Sequence, residues 1–493
     1  MENFFNSLKY LPNQPLIYNS VLFFILFTIF YLLYIAVFNK IKARNLLLLI
    51  FSFYFYYKVS GPAVILLLIM ASSDYFIGLG IFKAKKQAIK GWLLLLSLII
   101  NLGCLCYFKY TNFFLQTWLG ITQPSQSPLV LNILLPIGIS FYVFKTLSYV
   151  LDVYRDVIEY PERNYFSYLL YVSFFPNILA GPISKARDLL PQINQKLFIT
   201  NEFIGKGFFL IMCGAFKKVF IADFLAANFV DRVFQSPNLF SGFENLMASY
   251  GATIQIYADF SGYTDIVIGI AFLLGFSIDA NFNKPFLAKN VTDFWRRWHI
   301  TLSKWLNEYL YTPLSFSFRK LRRIGIIFSL LITFFLSGFW HGPSWTYILW
   351  GLSHGIAMSY DILSDGFRDK IKKVMNIKVY NFISIFITFH FLSFSIILFK
   401  SADLTTAGVV YSKIFNNLDF SLAKDWVRLY SMPFMVMVLA YILHYLPISW
   451  NNYLTSRYTK LNWVFKTLIF VFAILFIYQA YSSEAMPFVY LEF

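Results

Sequence analysis

The run Ile324–Trp340, IGIIFSLLITFFLSGFW, is followed by His341-Gly342-Pro343-Ser344 and then by Trp345–Ile362, WTYILWGLSHGIAMSYDI. Each flank is an almost unbroken apolar stretch, close to the roughly 20 residues that cross a bilayer as a helix. The Gly-Pro pair between them stops the first helix and leaves one histidine at the boundary. An ionisable side chain at membrane depth is costly, so its presence is a functional hypothesis by default. Histidine titrates near neutrality, which suits it to take a proton from a weakly acidic alcohol. Composition alone favours the plainer alternative, an interfacial histidine capping a helix C-terminus.

The same hydropathy recurs from end to end. Of the 493 residues, 58% are hydrophobic, 21% aromatic and 13% charged, against about 25% charged in soluble domains. Further candidate spans are Ser20–Phe38, Pro62–Phe82, Trp92–Phe108, Leu129–Leu151, Phe203–Phe234, Asn245–Phe276, Phe382–Phe399, Met432–Trp450 and Trp463–Tyr481. Leu46–Tyr57 is short, and Phe166–Ile183 is broken by Pro176, Gly181 and Pro182. A broken segment survives in a membrane only where its freed backbone groups meet protein or a wet cavity. The expectation is an all-α polytopic chain of about 11–13 transmembrane or re-entrant helices, forming one membrane-embedded unit over residues 1–493. No polar block is long enough for a separate soluble domain.

The formal charge of +17 is spread over short basic clusters between apolar runs, where lysine and arginine anchor cytoplasmic loops. No basic domain exists to bind nucleic acid. The clusters at Lys40–Arg44, Lys83–Lys90, Arg319–Arg323 and Arg368–Lys378 are expected inside. Gly120–Pro128 and Ser401–Ser431 are expected outside, with both termini. Cys104, Cys106 and Cys213 lie in apolar runs and offer neither a disulfide framework nor a metal set. The first apolar stretch has no basic region before it and no small-residue cleavage site after it, so it is expected to be retained.

Two further groups could carry chemistry. At 100° per residue, Asp293–Tyr311 gathers Phe294, Trp295, Trp298, Leu302, Trp305, Leu306 and Tyr309 in an arc of roughly 120°. Arg296, Arg297 and Lys304 take the other face, which reads as an amphipathic interfacial helix with His299 at its border. Inside an apolar span lie Gln255, Asp259, Ser261 and Asp265, with 255/259 and 261/265 sharing helix faces. A carboxylate there must be paired, hydrogen-bonded or protonated; Lys217, Lys218, Arg296 and Arg297 are candidate partners. His354 is read as a structural partner, and His390 and His444 as packing residues.

These motifs run in a distinctive order: Gly181-Pro182-Ile183, Tyr257-Ala258-Asp259-Phe260-Ser261-Gly262-Tyr263-Thr264-Asp265, Phe294-Trp295-Arg296-Arg297-Trp298-His299, Trp305-Leu306-Asn307-Glu308-Tyr309-Leu310-Tyr311 and Ser337-Gly338-Phe339-Trp340-His341-Gly342. In this the chain resembles the membrane-bound O-acyltransferases, and within them the bacterial branch acting on polysaccharides and teichoic acids. The motif-bearing core spans about residues 135–362. The resemblance implies a funnel narrowing to a thin central plate, with His341 as catalytic histidine and His299 as the second polar position. It implies transfer of a short acyl group, acetyl above all, from a cytoplasmic thioester to a hydroxyl, for modification of an exported polysaccharide. The donor would be acetyl-CoA or an acyl-carrier thioester, with no bound cofactor. Trp340 and Trp345 would wall the site, His299 would hold the donor or the oxyanion, and Asp259, Ser261, Asp265, Arg296, Arg297 and Trp298 would serve substrate binding. Implied partners are the bilayer of the inner or plasma membrane, a periplasmic or extracellular acyltransferase, and the polysaccharide acceptor. D-alanyl transfer from a carrier protein is the second reading. A transporter or flippase is the third, disfavoured because the chain lacks two related halves.

Overall fold

The computed structural model describes residues 8–12, 15–18, 20–123 and 130–479. Two compact units emerge, Met1–Gly207 with Val267–Asp279 and Phe208–Ile266 with Ala280–Phe493. Every regular element among the described residues is helical. Among the described residues, five helical stretches are long and apolar enough to cross a membrane: Ile41–Lys83, Gln87–Thr122, Gly242–Leu273, Arg319–His341 and Ile377–Lys400. Phe420–Leu429 and Ser431–Tyr445, meeting at a 99° bend, form a sixth if taken together, and Val21–Val37 and Trp463–Ile477 are shorter apolar helices.

Some expected spans take other forms. Leu129–Leu151 is helical only from Ile139, in a helix reaching Tyr154. From residue 130 to there the chain has no regular structure, with Pro136 and a left-handed Gly138 (φ 82°) delaying the helix. Asn112 stands in for a neighbouring strand there: its side chain accepts from Leu131 N (2.9 Å) and donates to Leu131 O (3.0 Å). Phe203–Phe234 begins as the helix Asn201–Ala215, then widens into π-helical turns at Phe216–Asp223 and Ala226–Val230. Of the loop expected outside at Gly120–Pro128, residues 124–128 lie outside the described residues, as does Leu129.

In the first unit the chain runs through α1 (Val21–Val37), α2 (Ile41–Ser60), α3 (Val64–Lys83), α4 (Gln87–Leu105) and α5 (Ile139–Tyr154). Aromatic rings fill its interior: Phe30 stacks on Phe51 at 4.1 Å, and Phe175 meets Phe51 edge-on at 4.9 Å. Polar side chains cross-link its helices, as small hydroxyls and amides do where no water competes. Asp74 of α3 accepts from Ser97 (2.6 Å) and Asn101 (2.7 Å) of α4, and Thr146 of α5 donates to Asn101 (2.8 Å). The broken segment after Ser173 is satisfied by protein. Phe175 N donates to Ser52 Oγ (3.1 Å), while Asn177 accepts from Lys145 Nζ (3.0 Å) and donates to Ser184 Oγ (2.9 Å).

The second unit carries α6 (Gly242–Leu273) up to Ile266, then α7 (Arg322–His341), α8 (Trp345–Leu363) and α9 (Ile377–Lys400). Glycines let α7 and α8 meet backbone to backbone. A Cβ on Gly338 would fall 3.1 Å from Gly351 Cα, and one on Gly351 would fall 2.9 Å from Gly338 Cα. Such contact needs small residues, and it locks the last turn of α7, where His341 sits.

Candidate active site

His341 is the last residue of α7 and is 2% exposed. Its imidazole is enclosed by aromatic rings: Trp350 edge-on at 4.9 Å, Phe399 of α9 at 5.5 Å and Trp340 at 5.0 Å. Trp340 is buried, whereas Trp345, expected as the other wall, is 49% exposed at the start of α8. Helical geometry explains the exchange. Residues five apart on one helix point in different directions, so Trp350 rather than Trp345 turns its indole to His341. The Trp350 Nε1–H is buried and has no hydrogen-bond acceptor among the described residues.

The single amphipathic helix expected over Asp293–Tyr311 is broken. A short helix, Val291–Trp295, ends in a turn, and a second starts at Ile300 and runs to Leu306 before widening at Asn307–Tyr311. The break falls on His299, a non-glycine residue in the left-handed region with φ 43°. Its backbone is held by a short ladder, in which Asn283 N donates to Arg297 O and Ile300 N donates to Asn281 O, both at 2.9 Å. The Asn281 amide oxygen accepts from Thr301 N (3.1 Å) and Thr301 Oγ1 (2.9 Å) and lies 3.2 Å from His299 Nδ1. Burial pushes the His299 imidazole well below the usual histidine range, so it stays neutral. Its ring packs edge-on to Phe260 at 4.7 Å and lies 6.4 Å from Trp340. Trp340 therefore stands within reach of both imidazoles.

The two aspartates of α6 are paired. Lys217 Nζ meets Asp265 at 2.7 Å, and Lys218 Nζ meets Asp259 at 2.7 Å and Asp223 at 2.8 Å. Neighbouring lysines diverge by about 100° on a helix, so they reach carboxylates more than one turn apart. Glycine again permits the approach: a Cβ on Gly262 would lie 2.7 Å from Gly214 O. The Ser261-Gly262 pair therefore serves packing, and α6 continues through it without a break. Arg296 and Arg297, the other candidate partners, go elsewhere: Arg296 is exposed and Arg297 pairs with Asp293 at 2.8 Å. Trp298 is buried against Phe282 at 5.0 Å, and Ser261 is buried within α6.

The remaining histidines have structural partners. Trp295 Nε1 donates to His354 Nδ1 (3.2 Å), whose Nε2 faces Ser395 Oγ at 3.2 Å. His444 Nε2 accepts from Phe286 N (3.3 Å), and His390 Nδ1 donates to Phe386 O (2.8 Å). Sequence reasoning missed Asn281, Thr301, Trp350 and Phe399. Asn281 leaves only a faint signal, a polar residue in the turn-rich Asp279-Ala280-Asn281-Phe282-Asn283-Lys284-Pro285.

Long apolar helices, buried ion pairs and a histidine enclosed at the end of a span describe a membrane enzyme, and residues 87–402 match the model of the membrane-bound O-acyltransferase family. The chain belongs to that family; it is a multi-pass membrane protein and an O-acyltransferase. Over 363 residues it is 35% identical to the peptidoglycan O-acetyltransferase of Helicobacter pylori, covering 68% of this chain and 66% of that protein. It is 36% identical over 408 residues to a probable alginate O-acetylase, AlgI, of Pseudomonas syringae, covering 81% and 76%. The teichoic acid D-alanyltransferase of Bacillus subtilis is 28% identical over 395 residues, covering 78% of this chain and 97% of that protein. The alignment thus spans about two thirds of the first relative's length.

Proposed function

We propose that this O-acyltransferase moves an acetyl group from a cytoplasmic thioester, acetyl-CoA, to a hydroxyl on its way to an exported polysaccharide. The observation that carries the reading is His341, buried among Trp340, Trp350 and Phe399 at the end of α7. In this enclosure the imidazole takes the proton of the acceptor hydroxyl as its oxygen attacks the thioester carbonyl. The C–S bond then breaks, the thiolate recovers the proton from the imidazolium, and free thiol and ester leave. Trp350 Nε1–H is a candidate donor to the carbonyl oxygen as charge develops on it. Acetyl is preferred to D-alanyl because the O-acetylating relatives share the higher identity.

The acceptor is the polysaccharide itself or a hydroxyl on an extracytoplasmic acyltransferase partner, and the protein resides in the inner or plasma membrane. The exposed basic run Arg319–Arg323 supports docking of an anionic donor on the cytoplasmic side. In sealed vesicles holding the protein and its partners, labelled acetyl-CoA should release thiol on the cytoplasmic side and leave labelled ester on the other. Passage of intact donor or acceptor without thiol release would replace this reading with transport.

A further inference from the structure

We infer that Asn281 is a positioning residue that holds His299 as its Nδ1–H tautomer, so that Nε2 meets a substrate as a hydrogen-bond acceptor. The inference deepens the reading of His299 as part of the acyl-transfer site and rests on that reading for its functional half. The first step is the orientation of the Asn281 amide. Its Oδ1 faces the backbone N–H of Thr301 at 3.1 Å. A backbone N–H only donates, so the atom facing it must be the oxygen, and the amide cannot be flipped.

The second step is the ring. That same oxygen lies 3.2 Å from His299 Nδ1. An amide oxygen only accepts, so Nδ1 carries the hydrogen. Neutral imidazole has a single N–H, and burial keeps this ring neutral. The lone pair is therefore on Nε2.

The backbone makes the arrangement hard to escape. His299 holds φ at 43° while Ile300 N is tied to Asn281 O at 2.9 Å. A non-glycine residue in that region is strained, and such strain persists where the surroundings over-determine it. Here Asn281 binds the backbone on the far side of His299 with its main chain and the ring with its side chain.

A lone pair cannot stabilise an oxyanion, so this tautomer removes His299 from the role of oxyanion donor. It accepts an N–H or O–H from a substrate instead, the acceptor hydroxyl or an amide of the thioester arm.

Nitrogen-15 solid-state NMR of histidine-labelled protein in bilayers, with His299→Gln identifying the signal, tests this directly. The expected result is a proton on Nδ1 in the wild type, redistributed to Nε2 in Asn281→Ala, with kcat for acyl transfer down about tenfold or more. Asn281→Asp, which keeps an acceptor at the same place, should retain the Nδ1 proton and recover most of the rate. A wild-type proton on Nε2, or an Asn281→Ala spectrum unchanged from wild type, overturns the inference. If Asn281→Ala does not accumulate, the wild-type and Asn281→Asp spectra decide alone. A proton on Nδ1 together with full transfer by His299→Ala would uphold the tautomer and overturn the functional reading beneath it.

Discussion

Asp361, near the end of α8, accepts from both the backbone N–H (2.9 Å) and the hydroxyl (3.0 Å) of Thr292, at the start of the helix leading to His299. Arg368 holds the other carboxylate oxygen at 3.1 Å. Since α8 begins four residues after His341, this clamp ties the two histidine-bearing segments together without touching either ring. Its carboxylate is placed at a helix N-terminus, where negative charge is favourable.

Replacing Asp361 by Ala should therefore loosen the geometry of the site. The expected cost is roughly 1.5–3 kcal/mol, the range for hydrogen bonds to a charged group. Thermal unfolding in detergent should show a lower midpoint, with transfer reduced in parallel. An unchanged midpoint would mean that the clamp contributes nothing.

His341→Ala should abolish acyl transfer while leaving yield and membrane insertion intact, because the close Gly338–Gly351 approach holds α7 against α8 without the ring. The check is transfer in membranes at matched protein levels. Wild-type-like acylation would remove His341 from the reaction.

Trp350→Phe keeps an aromatic wall against His341 but deletes a buried N–H. If that donor meets the developing oxyanion, kcat should fall by about 10²-fold with little change in KM, the size seen when one such donor is lost. A loss confined to stability would make Trp350 a packing residue.

How much of this could be read beforehand differs from residue to residue. The place of His341 at the end of a span was legible because Gly342 and Pro343 mark where an apolar run must stop, while its catalytic role came only from the resemblance. That Asp259 and Asp265 need cations was legible, since buried carboxylates must be paired, but Lys217 and Lys218 could not be told apart from Arg296 and Arg297 as the partners. The amphipathic helix was misjudged because a helical wheel assumes constant rotation, and one left-handed residue, His299, cancels it. Trp350 was passed over for Trp345, which lies nearer in sequence, because proximity along the chain says little about which helix face a ring occupies. Asn281 lay beyond reach: its role depends on a backbone ladder to Arg297 and Ile300 that no local pattern announces.

Lys218→Met should be among the most damaging substitutions remote from the reacting groups. It strands Asp259 and Asp223 in the interior, and removing one member of a buried ion pair costs about 3–5 kcal/mol. The protein should accumulate poorly, and adding Asp259→Asn with Asp223→Asn should restore much of the yield. Full accumulation of the single variant would show that these charges are not closed off from water.

The ion pairs also bear on how the chain enters the membrane. Of the five described helices fit to span it, α6 is the least apolar, and its carboxylates contribute to that. Lys217 is made before its partner, for Asp265 follows it by 48 residues, whereas Lys218 meets Asp223 only five residues on. At roughly 5–20 residues per second, Lys217 waits about 2–10 s for its counter-charge. During that interval Lys217 must stay at the translocon or the lipid headgroups, so the two helices are best delivered to the bilayer as a neutralised pair. The order in which these charges leave the ribosome is thus part of the instruction for assembling the fold.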